Sequence, residues 1–169
     1  MEFRELIRKR YSVRAYRPDP VSDADLQQVL EAGMLAPTAA NRQAFRIVVI
    51  ATQGRQEELK RVYERDWFVQ GPLVLAVCGL TRESWSRRDG HNYVDVDAAI
   101  VMDHMILAAA DLGLGTCWIG AFDPQAAREV LGLPEDVEAI AFTPLGHPAD
   151  TPRPKKRKPL EELVRRERW

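Results

Sequence analysis

Helical and extended patterns alternate along the 169 residues of this chain, which predicts one mixed α and β domain organised around a buried helix. Three observations carry the prediction. Between Asp97 and Leu112 the apolar residues cover almost every direction of a helix, and only Asp97, Asp103, His104 and Asp111 are polar. A helix greasy on nearly all sides is buried on nearly all sides, and this one is too short and too charged for a bilayer, which takes about 20 mostly apolar residues. Apolar stretches of strand length follow one another at 46–51, 73–80, 116–119 and 138–145, separated by helical patterns. The composition, 46% hydrophobic and 29% charged, is that of a soluble globular domain, and the length fits a single one spanning 1–169.

Taken in order, residues 2–9 fit a short helix with Phe3, Leu6 and Ile7 on one face. The pattern then switches. Arg10-Tyr11-Ser12-Val13-Arg14-Ala15-Tyr16 reads as extended chain, and its period of two puts Arg10, Ser12 and Arg14 on one side. Two guanidinium forks with a hydroxyl between them suit a phosphate or another planar anion; a solvated edge with scattered arginines is the alternative on these residues alone. Ser22 caps the next helix, with Asp25 three residues on. That helix stops before Pro37, because the residue ahead of a proline is pushed out of the α region. Ala36 to Gln43 is therefore a loop rich in amide and hydroxyl side chains at the lip of a buried strand.

A helical pattern runs from Gln53 to about Arg65 before the second strand, and 81–94, with Trp85, His91 and Tyr93, has no periodicity and reads as a mobile surface loop. The aromatics of that loop are read as anchors rather than as a stacking platform. Gly113 terminates the central helix, and Gly115 and Gly120 bracket the strand that follows; at Gly120 a flat group could lie against the backbone. Asp123-Pro124 opens a helix to about Leu131. After the last strand comes a tail of another kind, 148–169, with four prolines, the run Lys155-Lys156-Arg157-Lys158 and a helical pattern only from 160 to 166.

The formal net charge of −1 sets up no global field toward nucleic acid or an anionic membrane, so any anion site is local. The first residues lack the apolar run of a signal peptide. Cys78 and Cys117 fall inside predicted strands with no metal-ligand spacing, as reduced core thiols of a cytoplasmic protein do. No metal is expected. The alternation of elements could suggest a doubly wound parallel sheet, but the glycines follow a helix and enter a strand, the reverse of a dinucleotide fingerprint.

Four motifs in order, Arg10-x-Ser12-x-Arg14, Ala36-Pro37-Thr38-x-x-Asn41-Arg42-Gln43, Gly113 to Gly120, and Lys155-x-Arg157-Lys158-Pro159-Leu160-Glu161-Glu162, resemble the FMN-dependent nitroreductase family over about residues 3–164, here as a compact member. The resemblance implies an α+β fold, a three-layer α-β-α sandwich around a mainly antiparallel sheet. It implies a cytoplasmic homodimer with FMN at the subunit interface and the tail 148–169 packed on the partner. By position, Arg10, Ser12, Lys155 and Arg157 fall on the FMN phosphate and ribityl contacts, and Arg14 by the pyrimidine edge. Pro37, Thr38, Asn41 and Gln43 fall on the loop that the neighbouring subunit donates, with threonine where serine is usual. Ile119 and Gly120 fall on the strand end whose N–H groups lie near flavin N5. A dianionic phosphate would also give cationic residues from opposite chain ends a reason to converge.

The activity implied is NAD(P)H oxidation through flavin N5, by ping-pong hydride transfer to nitroaromatics, quinones or similar small acceptors. The cofactors are FMN and NADH or NADPH, and the chemistry belongs to the flavin rather than to a protein nucleophile. Arg14 is the candidate for stabilising charge on the reduced ring, with Arg42 second. His91, His104 and His147 form no constellation with a serine or cysteine. The alternatives are another flavin redox enzyme on the same scaffold, a dehydrogenase or dehalogenase, and a protein that binds FMN without turnover.

Overall fold

Period two along a single strand decides how the layers stack. In β2 (Leu73–Leu80) the side chains of Val74, Ala76 and Cys78 enter one core and those of Leu75 and Val77 the other, as alternation in a strand buried on both faces requires. The computed structural model describes residues 1–169. Around β2 lie α1 (Phe3–Lys9), α2 (Asp23–Met34), β1 (Phe45–Ala51), α3 (Gln56–Val62), α4 (Val94–Asp111), β3 (Gly115–Thr116), α5 (Pro124–Leu131), β4 (Val137–Gly146) and α6 (Leu160–Leu163), with short 3-10 turns at Ala39–Asn41 and Asp66–Val69. The first core packs α2 and α4 on the sheet through Val29, Met102, Met105, Leu75 and Leu145. The second packs α3 and α5 on the opposite face through Leu59, Phe68, Ala127 and Phe142. The fold is thus the expected α-β-α sandwich.

The sheet runs β1-β2-β4-β3 and every neighbouring pair is antiparallel. The doubly wound parallel arrangement does not occur, because each connection returns the chain beside its neighbour in the opposite sense. Local chemistry sets the helix ends, at Ser22 and Asp123 as predicted. Ser22 Oγ accepts from the Asp25 N–H at 3.0 Å, Asp123 Oδ1 from the Ala126 N–H at 2.9 Å, and Gly132 closes α5 in the left-handed region.

Four expectations are corrected. The helix foreseen from Gln53 begins at Gln56 and ends at Val62. The last helical pattern forms only at 160–163. The central helix begins at Val94, three residues earlier than foreseen, and its own chain covers only the inner side: Val96, Asp103 and Asp111 are exposed, with Ala99, Ile100, Leu107 and Ala110 half-buried. The 81–94 stretch is a closed hairpin. Ser86 pairs with Asn92, the Trp85 and Tyr93 rings meet edge to face at 4.9 Å, and Arg87 bonds Asp89 at 2.6 Å while lying 5.9 Å over the Tyr93 ring. Its aromatics do anchor it. No helix is long and apolar enough to cross a membrane.

Phe142 is the centre of the second core, fully buried, edge-on to Phe122 at 4.8 Å and to Phe68 at 6.4 Å. Phe142→Ala is expected to lower the unfolding free energy by about 3–5 kcal/mol, read as a lower guanidinium midpoint with an unchanged slope.

Candidate functional site

The stretch after α1 is extended because it is paired on two sides. The Val13 N–H donates to the Thr116 carbonyl at 2.9 Å, and Ser12 lies parallel to Thr116 beside β3. Further on, the Arg17 N–H donates to His147 O at 2.9 Å and the Ala149 N–H to Ala15 O at 2.8 Å, with Tyr16 opposite Pro148. Close packing requires glycine on both sides of this seam. A Cβ on Gly115 would stand 2.8 Å from Val13 Cγ2, and one on Gly146 would stand 2.9 Å from Pro72 Cδ and 3.3 Å from the Tyr16 ring. Val13 is buried, which leaves Ser12, half-buried, and Arg14, exposed, on the other side of the extended chain.

Asp150 fastens the seam. Its Oδ2 accepts the Arg14 N–H at 2.8 Å, and the Tyr11 hydroxyl donates to its Oδ1 at 3.1 Å and to its carbonyl at 3.0 Å. The Tyr11 hydroxyl is held above its usual range by burial and then by this carboxylate. From Asp150 the tail runs in extended form over the Arg10–Arg14 stretch, and the two enclose a cleft of about 410 Å³. Arg10, Arg14, Arg153, Lys155, Lys156 and Arg157 line it with Tyr11 and Ser12, against Asp150 as the one acid. None of the six cations has a carboxylate within ion-pair distance. The Lys155 ammonium is pushed below its ordinary value by burial first, then by Arg10 and Arg157. A cluster of this kind calls for an oxyanion carrying more than one charge, since an opposite charge relieves both the repulsion and the desolvation.

The structure therefore brings Arg10, Ser12, Arg14, Lys155 and Arg157 together in one cleft. Lys155 has a further use: its ammonium donates to the carbonyl of Ile7 at 3.2 Å and to that of Arg8, capping the C-terminal end of α1. Lys158 pairs with Glu162 and does not line the cleft, whereas Lys155, Lys156 and Arg157 do. Arg153 and Lys156 were missed; Arg153-x-Lys155-x-Arg157 repeats every second residue, the same signal that marked Arg10, Ser12 and Arg14. The Arg14 guanidinium stands 5.9 Å over the Trp67 ring.

Pro37, Thr38, Asn41 and Gln43 do not line the cleft of their own chain. Their loop presents Pro37, Asn41, Arg42 and Gln43 to solvent. It is held from within by the Gln43 N–H on Thr38 Oγ1 at 3.0 Å and by the Gln43 amide on Asn41 O at 3.2 Å. At the strand end, Ile119 is already committed: its N–H donates to Phe142 O at 2.8 Å. Of the two N–H groups expected to face outward, only that of Gly120 is undonated within the chain. A Cβ on Gly120 would meet nothing nearer than Trp118 Nε1 at 3.7 Å, so packing within the chain does not require glycine there.

Neither thiol is a nucleophile at neutral pH. Burial pushes Cys78 up to about 11. It also raises Cys117, outweighing the opposite pull of Arg14, Ser12 and Arg10. His104 Nδ1 lies 2.9 Å from Ile100 O and His147 Nε2 3.3 Å from Pro20 O, both packing roles.

Comparison with known proteins gives one answer. The model of the nitroreductase family matches residues 7–67 and 56–147. A Bacillus subtilis protein named as an NAD(P)H FMN reductase is 30% identical over 175 residues, covering 94% of this chain and 70% of its own. The crystal structure of a nitroreductase family protein from Clostridium difficile 630 superposes with a TM-score of 0.90 at 36% identity over 100% of both chains. The NADPH:FMN oxidoreductase of Vibrio harveyi, complexed with NAD+, matches at a TM-score of 0.88 over 98% of this chain and 76% of its own; at 24% identity it supports the fold alone.

Inorganic phosphate is expected to raise the melting temperature progressively with its concentration, by mass action on the folded state. The gain should shrink in concentrated sodium chloride and be largely lost in Arg10→Gln and Arg157→Gln, as differential scanning fluorimetry would report.

Proposed function

The chain belongs to the nitroreductase family, and on that premise we propose that it is a dimeric NAD(P)H-dependent FMN oxidoreductase whose acceptors are nitroaromatics, quinones or similar small molecules, used in ping-pong order. The observation that carries this reading is the cleft of six cations drawn from both ends of the chain, with Asp150 as its one acid. Arg10, Ser12, Arg153 and Arg157 would hold the phosphate of FMN. Lys155 adds charge from its seat on α1. FMN, when bound, supplies a ring that accepts a hydride from a pyridine nucleotide and hands two electrons to an acceptor.

The protein's part is position and field. Arg14, held by its own N–H on Asp150 and by Trp67 beneath its guanidinium, would face the pyrimidine edge and offer a fixed positive charge where negative charge develops. Gly120 would offer its N–H to the ring and, lacking a side chain, let it lie close. The cycle as proposed calls on no protein nucleophile, in keeping with a buried Cys117 and a His104 packed on the Ile100 carbonyl.

Two further features support a dimer. Phe3, Ile7, Met34, Leu35, Leu160, Leu163 and Trp169 are exposed, and a symmetric copy would cover them. The Pro37–Gln43 loop, which does not line its own cleft, would then meet the partner's flavin; of the tail, 148–157 is docked on its own chain, and the remainder, 158–169, would lie on the partner. Two unpaired thiols suit the reducing cytoplasm.

Anaerobic mixing of the FMN-loaded protein with NADH or NADPH tests the proposal. Bleaching of the flavin absorbance within seconds, with re-oxidation by added quinone or nitroaromatic, is expected. Arg14→Gln should slow bleaching roughly 10- to 100-fold. Flavin that stays yellow would make the protein a binder without turnover, and failure to take up FMN would end the reading altogether.

A further inference from the structure

We propose that Asp97 is the positioning residue that sets the Thr38–Gln43 loop in the shape with which it serves the partner's cleft, an inference that rests on the dimeric FMN reading above. Asp97 is 2% exposed. One carboxylate oxygen accepts the Ala39 N–H at 2.9 Å; the other is buried with no hydrogen-bond partner. No lysine or arginine pairs with it. A carboxylate so placed is costly, and only the positive end of α4, in whose first turn it lies, compensates its charge. Core packing does not ask for an acid here: its helical neighbours Ala98 and Val101 fill the same core with apolar atoms.

The segment it grips explains the cost. Ala40, Asn41 and Gln43 hold φ of 50°, 54° and 51°, the left-handed region that residues other than glycine avoid. Strain of this kind persists only where the surroundings impose it, and it gathers at functional sites. Within 38–43 the other hydrogen bonds join loop to loop or run on to Phe45. The Asp97 contact, across 58 positions of sequence, is the one that ties the loop to the body of the domain. It fixes the start of the strained turn and thereby the direction in which Asn41, Arg42 and Gln43 face outward.

The test measures FMN affinity by flavin fluorescence on titration of the apoprotein, with melting curves to confirm folding. Asp97→Asn keeps an acceptor but loses its charge, and binding should weaken roughly 5-fold, the difference between a charge-assisted and a neutral hydrogen bond. Asp97→Ala should weaken it by more than roughly 30-fold, since the strained turn then has no external anchor. If Asp97→Ala does not fold, Asp97→Asn decides alone, and unchanged affinity there overturns the proposal.

Mixed dimers give the readout that a merely structural role would not move. Two-tag purification of a dimer with one Asp97→Ala (or Asp97→Asn) subunit and one Arg10→Gln subunit should yield one site of wild-type affinity per dimer, built from the intact cleft of the first subunit and the intact loop of the second. A dimer with no such site overturns the proposal, because the loop would then act within its own subunit. A wild-type protein that is monomeric or takes up no FMN would instead sink the reading beneath it.

Discussion

Mutual repulsion among Arg10, Arg14, Arg153, Lys155, Lys156 and Arg157 is the constraint that the architecture has to overcome, and main-chain hydrogen bonds overcome it. The pairing of 14–17 with 147–150, and the hold of Asp150 on the Arg14 N–H and the Tyr11 hydroxyl, bring the two ends of the chain together. Backbone pairing and a phosphate among the cations would act in the same sense, each holding the two chain ends together. Donors whose frame is fixed by main-chain hydrogen bonds spend little binding energy on ordering.

The sheet explains why the seam lies where it does. β2 is buried on both faces, so the helices of the two cores take up its sides and leave the far edge of the sheet open beyond β4. β3 supplies only two residues to that edge. The extended chain of Ser12 and Val13 completes it, with Gly115 making room for Val13. Functional residues thus sit on a strand-like segment docked to a rigid sheet, a more exact support than a free loop.

Much of this was legible in the sequence, and most of the exceptions share a cause. Period two in 10–16, the continuous apolar run of 73–80, and Ser22 and Asp123 before their helices are local signals that survived, while the helical patterns at 53–65 and 160–166 were cut short. What else failed was non-local or unmarked. Asp97 reads like any acid in a first helical turn, and only the approach of Ala39 across the fold shows it to be an anchor. Ala40, Asn41 and Gln43 carry no glycine to announce their left-handed backbone. The contiguous Lys155–Lys158 run drew attention from Arg153, and nothing in the sequence places Lys155 over the end of α1. Antiparallel pairing could not be read from the order of the elements, because order alone does not say in which sense a strand returns.

The seam between 14–17 and 147–150 also bears on how the molecule is put together in time. Joining segments more than a hundred residues apart carries a large loop-closure entropy, whereas the β1–β2 pairing closes over a much shorter span. Contacts of that kind slow folding, because the closure entropy is lost before the contact rewards it. The cation cluster therefore depends on long-range closure, not on short-span pairing such as that of β1 with β2.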